Sequence, residues 1–304
     1  MPPREDGSVL VGDIAYSTEE WESLLAKNLD SLKKLWPKTN GVVNIPYKIS
    51  NPEVSTAKLK GAFSAWESKT CVKFSKMAKS DKYMEYLDFV ITGTTCSSNI
   101  GYTKGKITSV NLPSSCSFKA FKHELGHSMG LRHEMNRSDR DKHIIVISGV
   151  KYKPGFDSQF ALMNTINFDI PYDYCSIMHY TDKVGSENYE HTMLALDARF
   201  QTLMGWCSTN ITHWNYKLVN TMYNCTDDWL KACKQESDPC KNGGYTRKDC
   251  SCACPLGTSG DKCENLDMNY NDAMAKKLSY YTAIIKTSGA KVTSPDYPKP
   301  SGMG

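Results

Sequence analysis

A mixed α/β domain followed by a small disulfide-rich module is the fold class this sequence predicts. Three observations lead there. Short strand-like runs alternate with amphipathic helical runs up to about residue 225. Six of the twelve cysteines crowd into residues 233–263, a density that points to a disulfide framework. A length of 304 residues with 40% hydrophobic content suffices for one full core and smaller appendages.

Taken in order, residues 1–16 read as an extended, poorly packed lead. Ser17 and Glu20 make an S-x-x-E capping box. It opens a helix whose apolar face holds Trp21, Leu24, Leu25, Leu32 and Leu35, and Pro37 stops it. Residues 41–49 read as a strand and 54–69 as a helix with Leu59, Phe63 and Trp66 on one face. Residues 71–74, 86–92 and 106–112 read as further strands. The run SFKAFKHELGHSMG predicts a helix over 117–130, with Ser117 as N-cap and Gly130 as stop. Phe118, Phe121, Leu125 and Met129 share its apolar face. Residues 131–200 read as loops and short elements, and 217–225 as a closing helix.

The net charge of +4 is too mild for a dedicated nucleic-acid binder and gives no membrane-surface signal. No apolar run reaches the length of a membrane span. The cysteines place the chain in an oxidising, extracellular compartment. A cytosolic metal ribbon built on the C-x-C runs is the weaker alternative. Residues 1–25 carry no secretory leader, so a signal is expected upstream.

The chemistry concentrates in HELGHSMGLRHE, residues 123–134. His123 and His127, four apart on a helix, present both imidazoles on one face, as a shared zinc ion requires. Glu124, one position round, is placed to act as general base toward an attacking water. Gly130 can turn left-handed and bring His133 back as third ligand. Three protein ligands leave the open position of a catalytic site.

This stretch resembles the metzincin pattern H-E-x-x-H-x-x-G-x-x-H, and within it the astacin family. Glu134 follows the third histidine, and MNRSDRD (135–141) is similar to the family's continuation x-x-R-x-D-R-D. SIMHY (176–180) is similar to its Met-turn, and AWESKTCVKF (65–74) to its W-x-x-x-T-C-x-x-F block. The resemblance covers roughly residues 28–225. It implies a two-lobed α/β metzincin domain, one zinc ion, an active-site cleft between lobes and extended polypeptide substrates. It also implies Met178 as an apolar floor beneath the metal and Tyr180 as a switchable tyrosine, a further zinc ligand at rest and then a donor to the developing oxyanion. The strand near 107–112 would pair with substrate, and Glu134 would contact the mature N-terminus and not the zinc.

Leu10-Val11-Gly12-Asp13 is similar to the family's F-x-G-D prosegment motif, which makes Asp13 the candidate inhibitory ligand of a latent zymogen. Lys27–Asn28 fits a trypsin-like cut, although the expected helix runs through that bond. The expected division is a prosegment-like lead at 1–27, a catalytic domain at 28–225, an EGF-like module at 229–264, and a truncated CUB-like or disordered tail at 265–304. Resemblance pairs Cys71 with Cys225 and Cys96 with Cys116. The EGF-like order gives Cys233–Cys250, Cys240–Cys252 and Cys254–Cys263. The two left over, Cys175 and Cys207, are expected to bridge and anchor the Met-turn segment. Among the sequons, Asn210 and Asn224 are the expected glycan acceptors. Asn136, inside the HEMNRSDRD block, is expected to be unused.

The leading expectation is therefore a secreted zinc endopeptidase. The alternative is a catalytically silent extracellular binding or adhesion protein, whose signature would be loss of Glu124 or a ligand. All are present here. The EGF-like module could serve extracellular protein partners. A matrix-metalloproteinase type would want a cysteine switch in the lead, yet the first cysteine is Cys71.

Overall fold

The structure is a computed structural model, described over residues 7–25, 34–205, 207 and 209–278. It opens with a hairpin where the sequence suggested a loose lead. Strands β1 (Ser8–Val11) and β2 (Ile14–Ser17) pair antiparallel with Val11 opposite Ile14. The two-residue loop is Gly12-Asp13, and Gly12 takes φ +64°, as a tight hairpin with glycine at its first loop position requires. The difference has a plain cause. Val9, Val11, Ile14 and Tyr16 are all buried and cluster with Ile100, which offsets the entropy of ordering the segment.

Helix α1 (Thr18–Leu25) follows directly. Its capping box is formed: Glu20 N donates to Ser17 Oγ at 3.2 Å and Ser17 N to Glu20 Oε2 at 2.8 Å. The expected continuation to Pro37 does not hold at its far end, where Leu35 and Trp36 are not helical. Leu32 and the Lys27–Asn28 bond lie outside the described residues.

Strand β3 (Val43–Ile49), helix α2 (Thr56–Glu67), strands β4 (Val72–Lys76) and β5 (Leu87–Val90), a short β6 (Ser97–Ser98) and β7 (Thr108–Asn111) complete the upper layer. The sheet has seven strands in the order β1-β2-β6-β7-β5-β3-β4. Strands β4, β3, β5 and β7 are mutually parallel, β6 runs antiparallel to β7, and β2 runs parallel to β6. This corrects the expectation for residues 107–112. β7 is an interior strand with both edges paired, so it has no free backbone to offer a substrate. The strand beside the lead is β6.

Helix α3 (Phe118–Ser128) packs on α2 and the sheet, with Ser117 Oγ accepting from Ala120 N. Phe121, Leu125 and Met129 are buried, whereas Phe118 is 43% exposed. The main apolar core joins the sheet, α2, α3 and helix α4 (His213–Met222). A second core holds Met135, Phe160, Tyr172, Tyr174 and Met204, built on loops, 3-10 turns and the ribbon β8 (Ile144–Val146) with β9 (Met193–Ala195). Two cores give two lobes, and α3 ends between them.

Helix α5 (Cys225–Ala232) leads into the cysteine-rich module. Its backbone order is two small ribbons, Tyr245–Thr246 with Cys252–Ala253 and Thr258–Ser259 with Asn265–Leu266. Where an irregular tail was expected, helix α6 (Tyr270–Lys277) packs Met274 and Ala275 against the second core. The CUB-like remainder, 279–304, lies outside the described residues. The disulfides are Cys71–Cys225, Cys96–Cys116, Cys175–Cys207, Cys233–Cys250, Cys240–Cys252 and Cys254–Cys263. No described helix is long and apolar enough to cross a membrane.

Candidate metal centre

Helix α3 carries His123 and His127 one turn apart, their ring centroids 4.7 Å from each other. The helix ends because Gly130 takes φ +98°. Leu131 N then donates back to Gly126 O at 3.0 Å and Gly130 N to His127 O at 2.8 Å, a left-handed cap that satisfies the last carbonyls. The chain reverses and His133 arrives 4.6 Å, centroid to centroid, from His127. A Cβ at residue 130 would find room, since its nearest neighbour would be 3.5 Å away. The cost of Gly130→Ala is therefore backbone strain, roughly 1–3 kcal/mol. Thermal melting should report that loss, together with weaker metal retention as His133 shifts.

Asp13, from the hairpin loop, closes the group. Among the described residues, the ligand atoms of Asp13, His123, His127 and His133 all lie within 4.8 Å of one another. Asp13 Oδ2 is 3.0 Å from His123 Nε2, and Oδ1 is 2.9 Å from His133 Nε2 and 3.8 Å from His127 Nε2. Ligands around a tetrahedral zinc with bonds near 2.1 Å stand about 3.4 Å apart, so these spacings fit the ion.

The tautomers fit as well. His123 Nδ1 lies 2.6 Å from Ile177 O and His127 Nδ1 2.8 Å from Leu131 O. A carbonyl only accepts, so each Nδ1 carries the proton and each Nε2 presents a lone pair to the centre. His123 Nε2 is buried without a hydrogen bond among the described residues, an orphan that a metal would satisfy. Burial holds His127 down at about 3 and lowers His133 too. Neutral imidazole is the form that ligates.

Glu124 is 1% exposed and stays outside the four-membered group. Its Oε2 has no hydrogen-bond partner among the described residues. Burial, then the charge of Asp13, pushes its carboxyl well above the usual range. Beside it opens a cavity of about 550 Å³, lined by Leu10, Lys119, Phe156, His179 and Tyr180 among others.

Met178 lies under the helix. A Cβ on Gly126 would come within 2.6 Å of Met178 Sδ, so helix and thioether touch with nothing between. Tyr180 donates its hydroxyl to Asp13 Oδ1 at 2.7 Å, and burial, then Asp13, raises its pKa well above that of a free phenol. The phenol's backbone is held by His179, whose Nδ1 donates to Tyr180 O at 2.6 Å and whose Nε2 accepts from Tyr172 at 2.8 Å. The sequence offered no sign of His179's part.

Glu134 turns away from the centre. Its Oε1 accepts from Arg137 Nη1 at 3.2 Å and from Asp173 N at 2.9 Å, and residues 28–33, which would carry a mature N-terminus, lie outside the described residues. Asp173 is fully buried, and burial followed by the Glu134 charge raises its carboxyl to about 7. The folded state then holds a proton that the unfolded state sheds near 4. Stability contributed there is present below about 4 and falls as pH rises toward 7, by at most about 1.4 kcal/mol per pH unit. Asp173→Asn should flatten that limb in urea titrations run across this range.

Of the three sequons, Asn136 is 1% exposed, and its amide donates to Gln159 O and Ala161 O, which leaves no room for a glycan. Asn210 and Asn224 are exposed.

Comparison with known proteins agrees with this geometry. Residues 28–224 match the model of the astacin family of peptidases. The chain is 30% identical to Protein SpAN of Strongylocentrotus purpuratus, over 84% of this chain and 41% of SpAN. It is 29% identical to Blastula protease 10 of Paracentrotus lividus, over 84% and 42%. It thus spans about two fifths of the length of these relatives. Among solved structures it is similar to high choriolytic enzyme 1, a hatching enzyme zinc-protease of Oryzias latipes. The TM-score is 0.58 at 28% identity, covering 65% of this chain and 98% of that one. On the family match and the histidine-glycine-histidine geometry together, the chain belongs to the astacin family.

Proposed function

We propose that the chain is a secreted zinc endopeptidase held latent by its own lead, dividing into lead (1–27), catalytic domain (28–225), EGF-like module (229–264) and tail (265–304). The observation that carries this reading is the convergence of His123, His127 and His133 with Glu124 beside them and Asp13 across their open side. When bound there, zinc supplies Lewis acidity at the scissile carbonyl. Glu124 takes the proton of the attacking water and hands it to the leaving amine. Tyr180 donates to the oxyanion, a charge that exists only on the way through the transition state. Tyr180→Phe should therefore lower kcat about 10²–10³-fold with KM little changed, measured on a quenched peptide.

The lead supports the latent reading in two ways. Its Asp13 fills the position that substrate would need. Its β2 occupies the place beside Ser97–Ser98, where an extended substrate would add as a strand once the lead leaves. Glu134 is the proposed partner of the new N-terminus, Met178 the floor, and Asn210 and Asn224 the glycan acceptors. The extracellular setting rests on six disulfides. Extended polypeptides are the proposed substrates, and the EGF-like module is a proposed surface for protein partners.

The test is casein cleavage by the chain after tryptic removal of the lead. Cleavage abolished by a chelator and by Glu124→Ala supports the reading. A zinc-loaded, trimmed chain that cuts nothing overturns it.

A further inference from the structure

Tyr180 has two hydrogen-bond acceptors and only one of them stays. Its hydroxyl lies 2.7 Å from Asp13 Oδ1 and 3.3 Å from Gln159 Oε1. Asp13 belongs to the lead. Gln159 belongs to a 3-10 turn, Asp157–Phe160, in the second lobe. We propose that Gln159 is a positioning residue for Tyr180: with the Asp13 carboxylate gone and substrate bound, a half-turn of its carboxamide lets Nε2, unpaired among the described residues, donate to the phenol oxygen and leaves the hydroxyl proton for the oxyanion.

Three observations support this. Gln159 is 3% exposed, and its Nε2 has no hydrogen-bond partner among the described residues. A buried carboxamide so poorly paired is costly if it serves only packing. Second, its backbone is pinned from the segment that follows the third histidine. Asn136 Nδ2 donates to Gln159 O at 2.7 Å, and Arg140 Nη1 donates to Phe160 O and to Met135 O. The carboxamide is thus carried on the same rigid frame as His133. Third, Gly12 lies directly over both groups. A Cβ at residue 12 would collide with the Gln159 carboxamide and come within 2.6 Å of the Tyr180 hydroxyl. Departure of the lead therefore uncovers amide and phenol together, facing the cleft. The phenol then loses the Asp13 acceptor, and the Gln159 carboxamide, turned to present Nε2, donates to the phenol oxygen while the hydroxyl proton faces the oxyanion. Its backbone is already fixed through His179, so the amide sets the remaining torsion that aims the hydroxyl.

The proposal rests on the peptidase reading, and its test separates the two. In the lead-free chain, Gln159→Leu should lower kcat about tenfold, the worth of one well-placed hydrogen bond, with KM changed less than about twofold. In a Tyr180→Phe background the same substitution should cost nothing more, because the group it positions is gone. Gln159→Asn keeps a buried amide but withdraws it from the phenol. It should reproduce the loss and stands in if the leucine variant fails to fold. Melting curves check that each variant is folded. Unchanged kcat, a loss confined to KM, or an equal loss with and without the Tyr180 hydroxyl overturns the proposal. A wild-type trimmed chain that cleaves nothing removes the peptidase reading itself, and the proposal falls with it. An active wild type indifferent to Gln159 removes the proposal alone.

Discussion

Glu124→Ala is expected to leave a folded, lead-free chain that still holds one zinc per molecule and has lost about 10²–10⁴-fold or more of its cleavage rate. The separation of the two readouts follows from position. Glu124 is on α3 but outside the set of ligand atoms that lie within 4.8 Å of one another, so its removal takes away no ligand. Its Oε2 has no hydrogen-bond partner among the described residues to be stranded by the change, and the carboxylate it gives up is itself disfavoured by burial. Folding should therefore be preserved or slightly improved, in keeping with strain accepted at a working site. Metal analysis and casein hydrolysis on one sample check it. Loss of zinc along with activity would make Glu124 part of the ligand shell, and full activity would place the base elsewhere.

Asp13→Ala is expected to switch on the uncut chain. Wild-type chain with its lead attached should be nearly silent, because a carboxylate tethered on a packed hairpin competes at an effective concentration in roughly the millimolar range. Without that carboxylate, substrate should gain access to the open position, and peptide hydrolysis should rise at least about tenfold over the uncut parent. The gain should be partial. The hairpin keeps its apolar cluster with Ile100, and Glu20 remains paired with Lys34, so the lead still covers β6. Gly12→Ala should act in the same direction, since its methyl meets Gln159 and Tyr180 at a φ that disfavours any side chain. An uncut Asp13→Ala chain as silent as the parent would contradict this.

The centre was legible because its geometry is local. His123, His127, Gly130 and His133 sit within one short stretch, and helix periodicity plus one left-handed turn fixes their convergence. Strands β3, β4, β5 and β7 were legible from short apolar runs for the same reason. The hairpin was misread because Val9, Val11, Ile14 and Tyr16 look like a stray alternation until Ile100 is placed beside them. That contact joins positions far apart in the chain and leaves no local mark. β6 is two residues long and takes its strand character from its neighbours. It stands between β2 and β7, and so takes the place of residues 107–112 as the strand an extended substrate is proposed to join. Helix α6 has a weak apolar face, and its packing on the second core decides its structure. Gln159 and His179 were silent in the sequence because their chemistry depends on which loop meets Tyr180.

The most direct measurement is casein hydrolysis by the trimmed chain as zinc is removed and returned. Hydrolysis should vanish on dialysis against a chelator and return in full when one equivalent of zinc is restored, with the uncut chain inactive throughout. A trimmed chain that binds its one zinc ion at this centre and still leaves casein intact would contradict the reading.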